Sequence, residues 1–458
     1  MNTEKKVFIV VDLGFGDSGK GTIVDGLTRR YDATTIVRFN GGAQAGHNVV
    51  TPDGRHHTFS QFGSGTFVPG TKTHLSRFML VEPYGMMKEE EHLQQVGVMD
   101  AFARTTVDKD ALIITPYHIA MNRLRELARG NDRHGSCGIG VGETMADYTT
   151  FGSSVLFAGD LSNPQKATAK LHFIRDHKRY ELKTLRSALP VCEETENQLS
   201  MIDDPVFIDI FVEKYQSFLE KAQIVDSFYL RTLLDEGTVI FEGAQGVLLD
   251  EWYGFHPYTT WSTTTFQNAE QLLHEQSYRG KVTKIGVVRA YATRHGAGPF
   301  VTEDAELTES IQDMHNSSAH VWQSTFRVGY FDTVAIRYAL AVAGHVDYLA
   351  ITHLDRMKDI PEWNVCRGYY VHVREKPTEF FAFHNNVIVA ITKGQYQDLV
   401  FQEKLTQHLL MCEPLYQDIA FICNDTVENY AAFLSNALGI PIGITSRGPA
   451  ADDKQYLL

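Results

Sequence analysis

Two glycine-rich segments near the beginning of the sequence contain residue types suited to phosphate chemistry. The first, residues 14–22 (GFGDSGKGT), follows an apolar run at residues 7–11 and precedes a helix-like stretch at residues 23–31. A strand, a glycine loop and a helix in this order predict a phosphate-binding loop, because inward-turned N–H groups and a helix N-terminus both favour an anion. The residues expected to surround the phosphates are Gly16, Ser18, Gly19, Lys20, Gly21 and Thr22.

This loop departs from a standard P-loop in two ways. Lys20 has the G-x-x-x-x-G-K spacing, but Gly21 follows it where Ser or Thr normally holds Mg²⁺, so the nearest hydroxyl belongs to Thr22. Asp17 lies inside the loop, where its charge would repel phosphates unless it binds a metal ion or takes up a proton. We therefore expect Asp17 to have a chemical role.

The second segment, residues 38–48 (RFNGGAQAGHN), follows a short predicted strand. Its glycines permit close approach of the backbone to a ligand, and His47 lies where this loop would face the first one. A single histidine is usually structural. Its place after a glycine-rich strand end, next to a phosphate loop, favours a functional role for His47.

The composition excludes several classes of function. The chain has 458 residues and a net charge of −14, which argues against non-specific binding to nucleic acid or to anionic membranes. No apolar run approaches the roughly 18 residues needed to span a bilayer, and the N-terminus does not resemble a signal peptide. Five cysteines without a C-x-x-C pair indicate reduced thiols. We expect a soluble protein of the cytoplasm.

The pattern of apolar runs predicts the fold. Runs such as residues 238–242 are typical of buried strands, and they alternate with helices, so we predict an α/β fold with a mainly parallel central sheet flanked by helices. Residues 365–392 predict small antiparallel hairpins beside this sheet. We expect one large domain over residues 1–458, with a helical insertion at residues 150–235 in which residues 203–230 are helical in pattern.

Motifs along most of the chain resemble those of the adenylosuccinate synthetase family, which joins aspartate to a purine nucleotide. Besides the two glycine-rich segments, these motifs follow the order expected for that family. They are residues 241–246 (FEGAQG), 248–250 (LLD), 257–260 (PYTT), 293–300 (TRHGAGPF), 329–335 (GYFDTVA), 352–355 (THLD) and 446–449 (SRGP). One such motif has low specificity, but this many in one order are highly specific.

The resemblance implies a ligase that uses GTP and Mg²⁺ to phosphorylate the 6-oxo group of IMP, after which aspartate displaces the phosphate. Asp17 would be the general base that removes the purine N1 proton, and it would bind Mg²⁺ together with the carbonyl of Gly46. His47 would hydrogen-bond the transferring phosphoryl group, whose charge Lys20 would neutralise. Gln245 completes the catalytic set that the resemblance implies.

The same resemblance assigns residues to the two nucleotides. Asp355 matches the residue that reads guanine, since a carboxylate accepts hydrogen bonds from N1–H and the 2-amino group. His353, in place of the family's lysine, and Ser446 and Gly448 would complete the GTP site. The residues implied for the acceptor nucleotide are Gln44, Ser136, Cys137, Thr260 and Gln245.

Several departures from the family pattern fall in the pockets for the acceptor and the amino acid. Ser136 and Cys137 replace two threonines, and cysteine is the poorer hydrogen-bond donor. The loop that ends at Arg327 contains this one arginine, where the family has a cluster that grips the aspartate carboxylates. Arg294 could share that task with Arg327, and His295 replaces a small apolar residue at the same pocket.

These departures leave alternatives open. The acceptor could be GMP or dGMP, the donor could be ATP or dATP, and the amine donor could differ from aspartate. The protein could also be a GTPase-like regulator that lost ligation, or a plain P-loop kinase that releases a phosphorylated product. Family members are homodimers in which a partner lends an arginine to the nucleotide site, and we expect a homodimer although residues 153–154 here are serines.

Overall fold

The computed structural model describes residues 5–130, 136–311, 326–424 and 426–458. Within these ranges the strands are β1 (Lys6–Asp12), β2 (Thr35–Arg38), β3 (His47–Val50), β4 (His56–Phe59), β5 (Lys72–Leu75), β6 (Leu80–Val81), β7 (Thr105–Asp108), β8 (Leu112–Ile113), β9 (Gln223–Val225), β10 (Val239–Glu242), β11 (Lys281–Arg289), β12 (Ala292–His295), β13 (Phe326–Gly329), β14 (Phe331–Asp332), β15 (Tyr348–Thr352), β16 (Asn364–Val371), β17 (Phe381–His384), β18 (Val387–Ile391), β19 (Cys412–Asp418), β20 (Ile442–Ser446) and β21 (Lys454–Tyr456). The α-helices are α1 (Lys20–Arg30), α2 (Pro83–Gln95), α3 (Pro116–Arg129), α4 (Val141–Phe151), α5 (Pro164–Leu185), α6 (Glu193–Asp203), α7 (Val206–Leu219), α8 (Tyr229–Glu236), α9 (Gln267–Glu275), α10 (Ala305–Ser310), α11 (Thr333–Ala343), α12 (Leu399–Leu409), α13 (Ala420–Cys423) and α14 (Val427–Leu438).

A ten-stranded sheet dominates the described part of the chain. Its strand order is β21, β20, β15, β11, β1, β10, β2, β5, β7 and β9. All neighbouring strands are parallel except β20 and β21. This arrangement confirms the predicted α/β fold. Because the carboxyl ends of parallel strands meet at one edge, the loops that follow β1, β2, β10, β11, β15 and β20 gather there.

Strand β1 lies inside the sheet and is covered on both faces. Phe8 and Val10 pack with the apolar side of α1, whereas Ile9 packs into the larger core on the opposite face. Full burial of one such side chain stabilises the fold by roughly 1.5–3 kcal/mol. The continuous apolar run therefore fixes the position at which the phosphate loop begins.

Helices α5, α6 and α7 share a second hydrophobic core with α2 and α3, to which Leu171, Ile174 and Phe211 contribute. The short strand β9 follows α7 and pairs in parallel with β7 at the edge of the main sheet. The prediction of a helical pattern throughout residues 203–230 is therefore wrong at β9, because pairing with β7 overrides the local pattern. The division into one domain with an insertion at residues 150–235 stays a prediction.

The other described sheets are small. β16 pairs in antiparallel fashion with β18 and β19, and β17 pairs with β18.

The longest described helix, α5, has 22 residues and carries many charged side chains. None of the helices in the described ranges combines the length and the apolar character needed to cross a bilayer.

Candidate active site

The phosphate loop connects the end of β1 to the start of α1. Gly16 and Gly19 have φ angles of 90° and 82°, which glycine adopts without strain. The buried carboxylate of Asp12 accepts hydrogen bonds from the backbone N–H groups of Gly14 (2.8 Å) and Ser18 (2.9 Å). Asp12 thus holds the curvature of the loop from its inner side.

Asp12 also binds the lysine of the loop. Lys20 Nζ lies 3.0 Å from Asp12 Oδ2, and both side chains are buried. A buried charge is costly without a partner of opposite charge, so Lys20 and Asp12 stabilise each other in the ligand-free site. A nucleotide phosphate would therefore compete with Asp12 for the ammonium group of Lys20.

A second loop, which follows β10, packs directly onto the phosphate loop. Leu248 N–H donates to the carbonyl oxygen of Gly14 at 3.1 Å. A Cβ atom on Gly246 would lie only 2.2 Å from that same oxygen. Glycine is therefore required at position 246 for the two loops to meet, and this contact brings Gln245 beside Gly16.

Asp17 lies at the crest of the phosphate loop with a φ of 58°. Its backbone carbonyl accepts a hydrogen bond from Arg289 Nη1 at 3.0 Å. Its side chain is 35% exposed, and Oδ2 lies 3.4 Å from Nε2 of His295. The carboxylate is thus accessible to a ligand while its main chain is held in place, as a general base or a metal ligand requires.

His47 forms a buried pair with Glu242. The distance between His47 Nδ1 and Glu242 Oε1 is 2.5 Å. Burial lowers the pKa of His47, although Glu242 acts in the opposite direction. Burial alone would raise the pKa of Glu242, but Arg38, His47 and the Ser64 hydroxyl outweigh it and lower that pKa to about 2. Glu242 is therefore an ionised carboxylate that fixes the orientation of the imidazole ring.

These loops line one cleft of about 1300 Å³. Every predicted site residue lines it except Ser18 and Arg327. Ser18 instead contacts a smaller, mainly apolar cavity on the other side of the phosphate loop. The residues brought together are Gly16, Asp17, Gly19, Lys20, Gly21, Thr22, Gln44, Gly46, His47, Ser136, Cys137, Gln245, Thr260, Arg294, His353, Asp355, Ser446 and Gly448.

Unpaired amide groups mark the part of the cleft assigned to the acceptor. Both side-chain polar atoms of Gln44 and the Oε1 atom of Gln245 are buried and have no hydrogen-bond partner within the described ranges. Buried polar groups normally find partners, so these atoms fit a polar ligand. Nearby, Ser136 Oγ accepts a hydrogen bond from Asn122 Nδ2 at 2.9 Å. Burial raises the pKa of the Cys137 thiol to about 11, so it is protonated near neutral pH.

The other end of the cleft carries the residues assigned to the donor base. Within the described part of the chain, the carboxylate of Asp355 forms no side-chain hydrogen bond or salt bridge, although its charge acts on Lys454. Burial lowers the pKa of His353 well below its usual value, so its ring is neutral. Burial likewise lowers the pKa of Lys454 to about 8, and its Nζ donates to the carbonyl oxygen of Gly448 at 2.8 Å. The hydroxyl of Thr22 donates to Pro449 O at 2.6 Å, which ties α1 to this loop.

Arg294 contacts backbone carbonyl groups of its own loop and of the loop that contains Tyr258. Its guanidinium donates to the backbone carbonyl oxygens of Tyr258 (3.4 Å), Ala297 (3.1 Å) and Pro299 (2.7 Å) and stacks over Phe15. Burial, followed by the charge of Arg327, lowers its pKa to about 9. In this arrangement Arg294 stabilises the loop, and its binding of an aspartate carboxylate stays a prediction.

Arg327 lies outside the lining of the cleft. Its Nη1 is 2.5 Å from Glu303 Oε2, and its Nη2 donates to the carbonyl oxygens of Gly296 (2.7 Å) and Gly298 (3.1 Å). A substrate carboxylate would have to displace Glu303 to reach this guanidinium. The preceding part of the expected arginine loop, residues 319–325, lies outside the described residues.

The predicted magnesium ligands fit a hard cation. Asp17 offers a partly exposed carboxylate. Gly46, which is exposed, offers its backbone carbonyl oxygen, and both residues line the cleft. Mg²⁺ prefers oxygen ligands and usually takes one or two carboxylates together with phosphates and waters. The donor set present therefore matches Mg²⁺ beside a bound nucleotide.

Two carboxylates at the site were absent from the sequence prediction as functional residues. Asp12 ends an apolar run, and Glu242 ends the buried strand β10. An acidic residue at the end of a buried strand is itself a signal, because burial of a charge is costly without a partner. The partner of Glu242 could not be assigned from the sequence, since His47 is 195 residues away, whereas Asp12 and Lys20 are only eight residues apart and their pairing depends on the fold of the loop.

Comparisons with known proteins give similarities over nearly the whole chain. A family model described as Adenylosuccinate synthetase matches residues 9–455. An adenylosuccinate synthetase of Chlorobium chlorochromatii is 32% identical over 460 residues, which cover 98% of this chain and 96% of the relative. A protein of the same name from Chlorobium phaeobacteroides is 29% identical over 463 residues, with coverage of 98% and 96%.

Two solved structures are similar in fold. Fully ligated adenylosuccinate synthetase from Plasmodium falciparum superimposes with a TM-score of 0.75 at 21% identity, covering 99% of this chain and 100% of that chain. The succinoaminodeoxyadenylate synthetase of cyanophage S-2L, bound to dGMP and to dATP as an energy donor, gives a TM-score of 0.58 at 14% identity, with coverage of 99% and 95%.

Proposed function

This chain belongs to the adenylosuccinate synthetase family and is a ligase that forms a carbon–nitrogen bond, and on that basis we propose that it joins aspartate to IMP with GTP and Mg²⁺. One observation carries the proposal: Asp17, Lys20 and His47 line the same cleft as the unpaired amide groups of Gln44 and Gln245. A phosphate loop alone would bind a nucleotide. A carboxylate within it suits removal of a proton from an acceptor.

Asp17 takes the N1 proton of the purine, which makes the 6-oxo group nucleophilic. That oxygen attacks the γ-phosphorus of GTP and GDP leaves. Lys20, released from Asp12, follows the phosphates, while the ring nitrogen of His47 that Glu242 does not occupy hydrogen-bonds the transferring group. Asp17 and Gly46 would hold Mg²⁺, which when bound would supply positive charge to the phosphates.

The amine of aspartate then attacks carbon 6, forms the carbon–nitrogen bond and expels phosphate. The acceptor is held by Gln44, Gln245 and Thr260, with Ser136 and Cys137 toward its phosphate. Arg327 would hold one aspartate carboxylate in exchange for Glu303. The proposed assembly is a homodimer in the cytoplasm.

A second candidate is the same chemistry on GMP or dGMP with ATP or dATP as donor. It is favoured by the neutral ring of His353 where the family has a lysine, since a cation beside the donor base is then missing. The carboxylate of Asp355, an acceptor for the 2-amino group of guanine, favours GTP instead. We therefore place IMP and GTP first.

One assay panel tests these proposals. Purified protein with Mg²⁺ is supplied with IMP, GMP or dGMP, crossed with GTP or ATP, with and without L-aspartate. We expect phosphate release that requires aspartate, and a product with the mass of adenylosuccinate from IMP. Slow release that ignores aspartate would indicate a GTPase-like regulator, and a stable phosphorylated acceptor would indicate a kinase.

A further inference from the structure

The main chain around Asp17 is fixed, but the rotamer of its carboxylate is not set by those contacts. Arg289 Nη1 donates to the carbonyl oxygen of Asp17 at 3.0 Å, and Thr352 Oγ1 donates to that of Ser18 at 2.7 Å. Both hydrogen bonds end on backbone atoms. A general base must also keep one oxygen aligned with the proton that it removes.

His295 is the side chain placed to do this. It ends β12, opposite Phe326 of β13, and the two rings lie 4.8 Å apart. The strand pair and this ring contact fix the imidazole, which is 17% exposed. Its Nε2 lies 3.4 Å from Asp17 Oδ2.

We propose that His295 is a positioning residue for Asp17: its Nε2–H donates a hydrogen bond to Oδ2 and leaves Oδ1 directed to the N1–H of the acceptor. The inference rests on the proposed function, because it assigns a task to the base of that reaction. The distance of 3.4 Å is long for a hydrogen bond, as catalytic hydrogen bonds often are in ligand-free sites before they tighten in the substrate complex.

The inference predicts which kinetic constant changes. His295 acts through Asp17, so its loss lowers the fraction of time in which the base is aligned and leaves the contacts to IMP, GTP and aspartate in place. Loss of a residue that orients a catalytic group typically costs about tenfold to a hundredfold in rate. This loss falls on kcat, with little change in KM.

Three variants test this prediction by steady-state kinetics. His295→Leu removes the donor at similar volume, whereas His295→Gln retains an N–H at similar reach. His345→Leu is the matched control, because His345 pairs with Asp347 at 2.9 Å on the surface, where it is 73% exposed. We expect kcat to fall about tenfold to a hundredfold in His295→Leu, to recover largely in His295→Gln and to stay unchanged in His345→Leu.

Two kinetic results would overturn the inference. One is a wild-type kcat in His295→Leu. The other is an equal loss in His295→Leu and His295→Gln together with a raised KM for aspartate, which would place His295 in contact with the amino acid. Thermal unfolding of each variant separates these effects from loss of the fold.

A spectroscopic test does not depend on which substrates the enzyme joins. In ¹⁵N-histidine-labelled protein, the ring signals of His295 are assigned by their absence in His295→Leu. They should shift in Asp17→Asn, which removes the charged acceptor. Signals that do not respond would overturn the inference. Signals that respond in a protein without ligase activity would overturn the proposed function while the pairing stands.

Discussion

At the scale of single residues, the partner of one imidazole nitrogen decides what the other can do. Glu242 occupies Nδ1 of His47 and also accepts hydrogen bonds from the backbone and hydroxyl of Ser64. The carboxylate is ionised and buried, so it both orients the ring and favours a positive charge on it when a phosphate binds.

Glu242→Gln tests this arrangement. The amide keeps the shape but loses the charge, so the ring of His47 is less well oriented and its protonated form less stable. We expect kcat to fall about tenfold to a hundredfold with KM for GTP nearly constant. Glu236→Gln, a surface glutamate paired with Lys72, serves as the control. A raised KM at unchanged kcat would show that His47 contributes to binding alone.

Asp355 carries the prediction about donor selectivity. Asp355→Asn replaces an acceptor-only group with one that also donates, which weakens recognition of the N1–H and 2-amino group of guanine. We expect the ratio of kcat/KM for GTP to that for ATP to fall by at least about tenfold. Asp359→Asn, at the end of the same short 3₁₀ helix (Leu354–Asp359), should leave the ratio unchanged. An unchanged ratio in Asp355→Asn would mean that other residues read the base.

The site residues that could be predicted from the sequence are those that belong to a motif within one short, continuous segment. Asp17, Lys20 and His47 lie within two short segments, and all three line the cleft. The role of Glu242 could not be predicted because its partner His47 is 195 residues away and meets it only when β10 lies beside β2, whereas Asp12 and Lys20 are only eight residues apart but meet through the fold of the loop between them. For Arg327 the sequence predicts a substrate contact but gives no sign of the pairing with Glu303, and its contact with aspartate stays a prediction.

At the scale of elements, the site depends on how closely two glycine loops approach. The loop after β10 contacts the loop after β1 through Gly246 and Gly14, and this contact brings Gln245 beside Gly16. A side chain between them would separate the acceptor contact at Gln245 from the base at Asp17.

Gly246→Ala should therefore impair both stability and activity. Its Cβ would overlap the carbonyl oxygen of Gly14, so we expect a loss of roughly 1–3 kcal/mol in the free energy of unfolding and a steep fall in kcat. Gly142→Ala is the control for stability, because its Cβ would meet Trp261 at 3.9 Å within the first turn of α4. Chemical unfolding measures the free energy of unfolding of both variants, and steady-state kinetics measures kcat. Wild-type stability in Gly246→Ala would contradict the close packing of the loops.

Helix α5 tests whether the helical region is integral to the fold. Lys178 is fully buried among Glu143 (3.1 Å), Asp147 (2.7 Å) and Glu181 (3.2 Å). Lys178→Met removes the buried cation that these carboxylates share and leaves only Arg125 and two histidines beside them, so we expect a loss of about 3–5 kcal/mol in the free energy of unfolding. Lys183→Met, an exposed lysine on the same helix, should change it little. Equal effects in the two variants would contradict the buried network.

Most strands and helices could be predicted from their apolar periodicity, because β1, β10 and β11 are buried on both faces. Strand β9 could not. It has three residues between helices, and only its parallel register with Thr106, Val107 and Asp108 makes it a strand. Short edge elements of this kind are determined by their neighbours more than by their own residues.

At the scale of the whole molecule, an acidic protein must bind two anionic nucleotides. The net charge of −14 provides no general attraction for them. Binding therefore depends on local groups that the fold collects at one edge of the sheet: the amides of the phosphate loop, Lys20 and a metal ion. That edge unites segments from both ends of the chain, from Asp17 to Gly448.

The central claim is that a carboxylate inside the phosphate loop deprotonates a purine so that its oxygen captures phosphorus. Positional isotope exchange tests it most directly, with GTP carrying ¹⁸O in the β,γ-bridging position, IMP and Mg²⁺, and no aspartate. Reversible transfer to IMP frees the β-phosphate to rotate, so the label scrambles. We predict scrambling that requires IMP in the wild type and a rate lower by at least about a hundredfold in Asp17→Asn with nucleotide affinities retained. Scrambling at the wild-type rate in Asp17→Asn would contradict the claim.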